Sequence, residues 1–227
     1  MARRSDPSPV SFADLTLDEL RPALAPAIAR AAIFDSWTTQ AVESAGTAHG
    51  VDPAVARLAF SGGAMDMIAA WIASVDAATE QAFADGALDG LPVRERIRRL
   101  VRFRLEAISG LEEALKRALS IMVMPQNAGR AMKLGWASAD AMWRLAGDTA
   151  TDYNHYTKRV ILGGIYTATL AVFADDQSEG KADTAAFLDR RIDGIIRFEK
   201  AKAKLSFGGD EHFDVARFLG RLRYPAR

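Results

Sequence analysis

Apolar residues recur along most of the chain at the three-to-four-residue spacing of an amphipathic helix, and the alternating pattern of a half-buried strand is nearly absent. Proline and glycine interrupt this pattern at Asp52-Pro53, Gly90-Leu91-Pro92 and Gly147-Asp148, where helices are expected to start or end. The pattern therefore predicts an all-α fold. The predicted helices cover residues 23–35, 38–47, 53–59, 64–87, 92–109, 111–122, 127–146, 151–174, 183–205 and 211–223.

The first three predicted helices form a specific arrangement. A turn at Ser36-Trp37-Thr38 follows the first helix, the second ends near His49-Gly50, and Asp52 caps the third. A helix, a glycine-containing turn and a short helix follow the plan of a helix-turn-helix. With the long helix that begins near Met65, this order resembles the start of TetR-type regulators, although any helical bundle with short loops would share it.

The charge of this region argues against DNA binding. Residues 27–74 contain two basic side chains, Arg30 and Arg57, against four acidic ones, which gives a net charge of −2. The acidic side chains are Asp35, Glu43, Asp52 and Asp66. Binding to DNA depends on basic side chains that neutralise phosphates, and the whole chain is balanced at 29 basic and 29 acidic residues. We therefore expect a degenerate helix-turn-helix that binds no nucleic acid.

Motifs of the common enzyme classes are absent from the sequence. The chain has no cysteine, and it contains no P-loop, GxGxxG, GxSxG or HExxH motif. Asp152 and His155 have the spacing of a di-iron ligand pair, but di-iron bundles need that motif twice together with further glutamates. We expect no catalytic residues, no metal and no cofactor, although an uncharacterised hydrolase stays open.

Six arginines lie within the helix predicted at 92–109, and apolar residues alternate with them. They are Arg94, Arg96, Arg98, Arg99, Arg102 and Arg104. This pattern indicates first the solvated side of an amphipathic helix. Contact with acidic partners or lipid headgroups is the alternative.

Methionine, tryptophan and glycine mark residues 117–173 as unusual. The flexible thioether of methionine suits irregular apolar cavities. Gly163 and Gly164 lie inside a nearly uninterrupted apolar run at 160–174, where a glycine costs about 1 kcal/mol relative to alanine. The pair indicates close packing or room for a ligand, and on pattern alone a well-packed core is favoured. Because the run would span only about 22 Å and a bilayer core about 30 Å, we expect a buried helix rather than a transmembrane one.

Several segments resemble the Coq-nine family of ubiquinone-biosynthesis proteins. They are residues 117–127, 142–143, 146–148, 151–159, 165–167, 175–176 and 187–191. The resemblance is dense over 117–196 and looser over the helix-turn-helix region. It implies a TetR-like fold, a homodimer without DNA binding, and a lipid in the pocket where TetR regulators hold their effector. The expected ligands are isoprenoid quinone intermediates or phospholipid.

The resemblance also implies a function without enzymatic activity. Proteins of this family present substrate to the di-iron demethoxyubiquinone hydroxylase, and they associate peripherally with the inner membrane. We expect the cytoplasmic side of that membrane here, which corresponds to the mitochondrial matrix side in eukaryotic relatives. The rival hypothesis is a TetR-type transcriptional regulator that senses a hydrophobic effector.

Pattern and resemblance together give the expected site residues. Those expected to bind lipid are Met122, Met124, Leu134, Met142, Trp143, Arg159, Ile161, Gly164, Ile165 and Ala168. Arg159 is included because it matches a family arginine placed near a phospholipid headgroup. The residues expected to contact the hydroxylase are Asp152, His155 and Tyr156, and His155 replaces the first residue of an aromatic pair in the family.

The last predicted helix is amphipathic. At about 100° per residue, four apolar residues fall in one sector and two arginines lie on the other side. These are Val215, Phe218, Leu219 and Leu222, with Arg217 and Arg221 opposite. Such a helix is expected to lie on an anionic membrane surface, or alternatively to dock on the core or a dimer mate.

Four regions follow from these expectations. Residues 1–10 have no apolar stretch and are expected to form a disordered start without a secretory signal. A degenerate helix-turn-helix region at 11–75 and a lipid-binding and dimerisation domain at 76–206 follow. A hinge and the membrane-associating helix occupy 207–227.

Overall fold

The computed structural model describes residues 12–149 and 153–206, with side chains described outside 153–154 and 195–206. Over these ranges the chain is helical and contains no strand, so the all-α prediction is confirmed. The helices are α1 (Leu17–Asp35), α2 (Thr39–Ala48), α3 (Pro53–Ala59), α4 (Ala64–Ala82), α5 (Val93–Ala107), α6 (Glu112–Met122), α7 (Ala128–Leu145), α8 (Tyr153–Asp175) and α9 (Ala182–Ser206). The predicted helix at 211–223 lies outside the described residues.

The helix-turn-helix arrangement is present in α1 to α3. The Asp52 carboxylate caps α3 by accepting a hydrogen bond from the Ala54 amide at 2.7 Å, as the sequence predicted. A side chain at Gly46 would place its Cβ only 2.9 Å from the Ala56 Cβ, so this glycine permits the close crossing of α2 and α3. The Trp37 indole donates to the Ala114 carbonyl at 3.0 Å, which ties the arrangement to α6.

Two helix boundaries differ from the prediction by more than two residues. α1 begins at Leu17 rather than residue 23 because Thr16 and Glu19 form a reciprocal capping box, and Pro22 lies within the helix. α4 ends at Ala82 rather than residue 87. Gly86 has a φ of +74°, a left-handed conformation that ends helical geometry.

The helices pack around a shared core. α4 contacts α1, α5, α6 and α7, and α8 packs against α5, α6 and α7. The chain divides into two compact units, Met1–Asp189 and Arg190–Arg227. The first unit holds α1 to α8 with the start of α9, and the second holds the rest of α9.

The arginine run of α5 is only partly solvated. Arg94, Arg99 and Arg102 are exposed as expected. Arg98 is half-buried and donates to Asp189 at 2.7 Å, and Arg104 is only 1% exposed. The expectation of a solvated face is therefore wrong for Arg104, because α5 turns that position toward α4, α7 and α8.

Asp176 organises the connection between α8 and α9. Its carboxylate accepts hydrogen bonds from the amide and hydroxyl groups of both Ser178 and Thr184, at 2.5–2.8 Å. The hydroxyls of Ser178 and Thr184 contribute most to holding the pKa of Asp176 far below its usual range, and the two amides add to this effect. Ionised Asp176 therefore stabilises the start of α9.

Asp176→Asn is expected to lower the melting temperature at pH 7. Because the folded-state pKa lies below the unfolded one, the stabilisation is complete above the usual aspartate pKa of about 4 and is lost as the pH falls through the folded-state value. The stability difference between wild type and variant should therefore shrink as the pH is lowered from 7 to 3. Thermal denaturation across that range measures it.

Asp175→Asn is the matched control. Asp175 is an exposed neighbour whose described ionic contact is with Lys116 at 2.8 Å, and surface ion pairs contribute little to stability. An Asp176→Asn variant no less stable than Asp175→Asn at pH 7 would contradict the role given to Asp176.

Candidate ligand-binding cavity

A cavity of about 660 Å³ lies among α4, α5, α6, α7 and α8. Its lining is mostly apolar and includes Trp71 and Val75 from α4, Ile108 from the end of α5, and Leu115 from α6. Small-molecule pockets in proteins typically measure about 300–1,000 Å³ and are lined mainly by apolar side chains. The cavity therefore has the size and lining of a site for an apolar ligand.

The cavity opens at one side, which we call the mouth. The mouth is formed by Val123 from the end of α6, Met132 from α7, and Val160 and Gly164 from α8, all of them exposed lining residues. Val123, Met132 and Val160 are 77%, 76% and 64% exposed, respectively. Large apolar side chains with this exposure leave an unsatisfied apolar surface around the opening.

The buried part of the lining, which we call the floor, includes polar side chains. Arg104, Ser138 and Tyr166 line the cavity there and are each less than 9% exposed. Arg104 forms an ion pair with Asp76, and its Nη2 donates to the Ser138 hydroxyl at 3.2 Å. Its guanidinium carbon lies 4.9 Å from the centre of the Tyr166 ring, within cation–π distance.

The guanidinium of Arg104 stays charged despite its burial. Burial acts to lower its pKa, but Tyr166 and the Asp76 carboxylate outweigh this effect and raise the pKa above its usual value. A charged group therefore lies among the buried residues that line a mostly apolar cavity.

Half of the residues expected to bind lipid line the cavity. They are Met122, Leu134, Arg159, Gly164 and Ala168. The other five, Met124, Met142, Trp143, Ile161 and Ile165, are outside its lining. A lipid-binding role for any of the ten stays a prediction.

Local packing explains why three of these residues do not line the cavity. Met142 is fully buried in the core. The Trp143 indole donates to the Lys158 carbonyl at 2.9 Å, which fixes it between α7 and α8. α8 faces the cavity with residues that include Val160, Gly164 and Ala171, and Ile161 lies about 100° around the helix from Val160.

The two adjacent glycines of α8 have different surroundings. A Cβ at Gly163 would meet the Ala139 Cβ and the Gly135 carbonyl oxygen at 3.9 Å, so this glycine faces α7 at ordinary contact distance. A Cβ at Gly164 would meet nothing within 4 Å. The position of Gly164 therefore combines open space with a place in the cavity mouth.

Arg159 connects the cavity wall to acidic side chains. Its Nε donates to Asp140 at 2.6 Å, and its Nη1 donates to Asp148 at 3.1 Å and to the His155 carbonyl at 3.0 Å. The side chain is 2% exposed. These bonds join α7, α8 and the loop after α7 beside the cavity.

One face of α8 is exposed along its length. Tyr156, Val160, Gly164, Thr167 and Ala171 follow each other at helical spacing and are all exposed. The run at 160–174, expected to form a buried helix, is therefore buried on one side only, because its other face borders the cavity mouth. Within the described ranges no single helix is long and apolar enough to cross a membrane, and only α3 with α4, bent by 82°, pass the length and composition criteria as a pair.

Trp136, His155 and Tyr156 form an aromatic cluster at the N-terminal end of this face. The ring of Tyr156 lies 5.9 Å from that of Trp136 and 5.2 Å from that of His155, and the Tyr156 side chain is 60% exposed. The helix spacing predicted the neighbourhood of His155 and Tyr156, but it did not reveal Trp136, which comes from α7. Asp152 lies outside the described residues.

The residues of the predicted membrane helix lie outside the described residues as well. They are Val215, Arg217, Phe218, Leu219, Arg221 and Leu222.

Comparison with solved structures identifies the fold. The chain is similar to a TetR transcriptional regulator from Nitrosomonas europaea ATCC 19718, with a TM-score of 0.61, 19% sequence identity, and coverage of 76% of this chain and 95% of that chain. This likeness is one of fold, and the predicted TetR-like fold is confirmed.

Comparison of sequences finds similarity to one family. Residues 128–199 match the COQ9 family model. The mitochondrial ubiquinone biosynthesis protein COQ9 of Rattus norvegicus is 32% identical over 181 residues, covering 77% of this chain and 58% of that protein. The Bos taurus protein is 29% identical, with 77% and 56% covered, and the Homo sapiens protein is 33% identical, with 50% and 36% covered. The chain thus spans a little over half the length of its first two relatives. The resemblance inferred from the sequence is confirmed, since residues 128–199 match the COQ9 family model and curated COQ9 proteins are similar to much of the chain.

Proposed function

We propose that this protein is a lipid-binding accessory protein of ubiquinone biosynthesis without enzymatic activity of its own. It holds an isoprenoid quinone intermediate or a phospholipid and presents substrate to the di-iron demethoxyubiquinone hydroxylase. The single observation that carries the proposal is the 660 Å³ cavity, which lies in a chain whose relatives are named ubiquinone biosynthesis proteins. Its apolar lining and open mouth suit a long hydrocarbon chain.

The proposal is tested by identifying the lipid bound to purified protein. The full chain is isolated without detergent, extracted with organic solvent and analysed by mass spectrometry. We expect isoprenoid quinone intermediates or phospholipid at a substantial fraction of one molecule per chain. Repeated isolation of protein without any lipid, from cells that make ubiquinone, would count against the proposal.

The exposed face of α8 supports the proposed protein contacts. The aromatic cluster places an exposed tyrosine beside the cavity mouth, and exposed aromatic residues often dominate protein interfaces. We assign this cluster to the hydroxylase contact. We also propose a homodimer, which the resemblance implies and for which the TetR-like fold provides the scaffold.

The C-terminal segment is proposed to hold the protein on the inner membrane, as the resemblance implies, and its relatives are named mitochondrial. Each basic residue near an anionic surface contributes about 1 kcal/mol, which salt screens. The full chain is therefore expected to sediment with anionic phospholipid vesicles, less so at high salt, whereas a chain that ends at Gly208 stays in solution. If the shortened chain sediments equally well, another surface of the protein makes the membrane contact.

The rival function, a transcriptional regulator, would need a helix-turn-helix that attracts DNA. The Arg57 side chain on α3 pairs with Glu43 at 2.6 Å, so the basic side chain of the would-be recognition helix is already neutralised. The same helix exposes Val55 and Leu58, at 42% and 61%. An apolar surface of this kind offers no hydrogen bonds to base edges.

We therefore expect binding to any duplex to be weaker than about 1 μM and to lack a steep dependence on salt. A gel-shift assay with the upstream region of the chain's own gene, and with an unrelated duplex, measures this. Submicromolar binding that falls sharply between low and physiological salt would favour the regulator.

A further inference from the structure

Methionine is the only sulfur-containing residue of this chain, because the sequence has no cysteine. A peroxide that reaches the protein therefore meets thioethers and no thiols. Oxidation of a thioether to the sulfoxide converts a flexible apolar side chain into a polar one. Where an exposed methionine borders an apolar cavity, this conversion changes the surface that a ligand meets.

Burial divides the methionines into two groups. The sequence contains seven, and six of them have described side chains. Three are buried in the core, namely Met65, Met67 and Met142. The other three lie near the end of α6 and the start of α7, namely Met122, Met124 and Met132. Of these, Met122 is half-buried, whereas Met124 and Met132 are 42% and 76% exposed. Peroxide should therefore reach the second group first.

Met132 combines strong exposure with a place in the cavity lining. Met122 also lines the cavity, but it is half-buried. Met124 is exposed but lies outside the lining, and its sulfur accepts a hydrogen bond from the Gln126 side-chain amide at 3.5 Å. Among the six described methionines, Met132 is thus the one that is both exposed and part of the mouth.

The surroundings of Met132 determine what its oxidation would do. The side chain shares the mouth with Val123 and Val160, which are also exposed and apolar. A sulfoxide oxygen is a hydrogen-bond acceptor that water solvates. A hydrocarbon chain held against the mouth would displace that water without replacing its hydrogen bonds, and burial of an unpaired polar group is unfavourable. Oxidation of Met132 should therefore weaken the binding of an apolar ligand.

We propose that Met132 is a reversible oxidation site, at which peroxide lowers the affinity of the cavity for apolar ligands. The thioether sulfur attacks one peroxide oxygen, so that an S–O bond forms and the O–O bond breaks. The attacked oxygen gives its proton to the departing oxygen, which leaves as water. Sulfur is thereby oxidised by two electrons and hydrogen peroxide is reduced, and methionine sulfoxide reductases restore the thioether. The inference rests on the proposed function, because it takes the cavity to be the lipid site.

Peptide mass spectrometry tests the site of oxidation. The full chain is treated with hydrogen peroxide under native conditions, sampled over time, digested and analysed. We expect Met132 to gain one oxygen earlier than the other described methionines. The three buried methionines should stay reduced until the protein is denatured.

A binding assay on the same protein tests the consequence. The lipid is first removed from the full chain, and decylbenzene then serves as an apolar probe with a hydrocarbon chain. Its affinity is measured by displacement of the fluorescent dye N-phenyl-1-naphthylamine, before and after peroxide treatment that leaves the buried methionines reduced. We expect oxidation to weaken decylbenzene binding about fivefold. Treatment with methionine sulfoxide reductases A and B should restore the affinity.

Three variants assign the effect to Met132, and each is compared with itself before and after peroxide. Met132→Leu keeps an apolar side chain of similar volume that peroxide does not oxidise, so its affinity should not change on treatment. Met132→Gln places a polar group at the mouth without any oxidant, so it should bind decylbenzene more weakly than the wild type does before treatment. Met124→Leu is the matched control outside the lining, and peroxide should weaken its binding as in the wild type.

The outcomes separate the inference from the function it rests on. Oxidation of another described methionine before Met132 overturns the assignment of the site. Unchanged affinity of the wild type after Met132 has been oxidised overturns the inference but leaves a lipid cavity in place. A loss of affinity that persists in Met132→Leu overturns the role of Met132. If the untreated wild type does not bind decylbenzene, the lipid cavity itself is overturned.

Discussion

The Gly164→Leu variant is expected to carry at least about tenfold less lipid than the wild type after purification, because an added side chain occupies the cavity mouth. A Cβ at Gly164 would meet no atom within 4 Å, so a leucine can be added there without displacing neighbouring groups. The space that it fills is the space through which a hydrocarbon chain would pass. Mass spectrometry of extracted lipid, normalised to protein, measures the loss.

The fold is expected to tolerate this substitution. Replacing a glycine inside a helix with a good helix former stabilises the helix by about 1 kcal/mol. Bound lipid also stabilises a protein, so melting temperatures are compared after lipid has been removed from both proteins. Under these conditions the variant should melt no lower than the wild type.

Gly129→Leu is the matched control. Gly129 also lies in a helix, α7, and its Cβ would also meet open space, but it is outside the cavity lining. It therefore adds the same side chain to a helix without filling the mouth, and it should carry the wild-type amount of lipid. An unchanged lipid load in Gly164→Leu would place the lipid elsewhere in the protein.

Local signals made much of the fold predictable. Asp52 followed by Pro53 fixes the start of α3, and the predicted bounds 53–59 agree with the structure. The same kind of reasoning missed the start of α1, where the capping box of Thr16 and Glu19 begins the helix at Leu17 rather than at residue 23. This capping pair lies before the apolar pattern on which the predicted bounds were based, so the predicted helix started too late.

The cavity was less predictable because five helices build it. The unusual composition of residues 117–173 indicated that α7 and α8 could line a cavity. No pattern in the sequence predicted that Trp71 from α4 would also line it. The burial of Arg104 could not be predicted for a related reason. Among alternating arginines it looked like one more solvated residue, and only the packing of α5 distinguishes it from exposed Arg102.

The aromatic cluster was predicted in part for the opposite reason. His155 and Tyr156 are adjacent in sequence, so helix geometry alone places them side by side at the start of α8. Trp136 of α7 also contacts them. This is a tertiary contact, which sequence spacing does not predict. The exposed aromatic surface is therefore larger than the sequence indicated.

Tyr156→Lys is expected to weaken binding of the di-iron hydroxylase by at least about tenfold, because truncating a dominant aromatic residue at an interface commonly costs about 2 kcal/mol or more. Tyr156 is 60% exposed, so its ring contributes more surface to a partner than to the core. Lysine also introduces a charge that must be desolvated on binding. Surface plasmon resonance with immobilised hydroxylase measures the change.

Two further variants test whether the loss of binding is specific to the aromatic cluster. Tyr156→Phe keeps the ring and should retain most of the affinity. Phe34→Lys removes an aromatic ring that is 81% exposed at the end of α1, away from the cluster, and should leave hydroxylase binding unchanged. Because Tyr156 contacts its neighbours mainly through the rings of Trp136 and His155, Tyr156→Lys should melt within a few degrees of the wild type. If Phe34→Lys and Tyr156→Lys weaken binding equally, the effect comes from added charge on the surface, and the hydroxylase binds elsewhere.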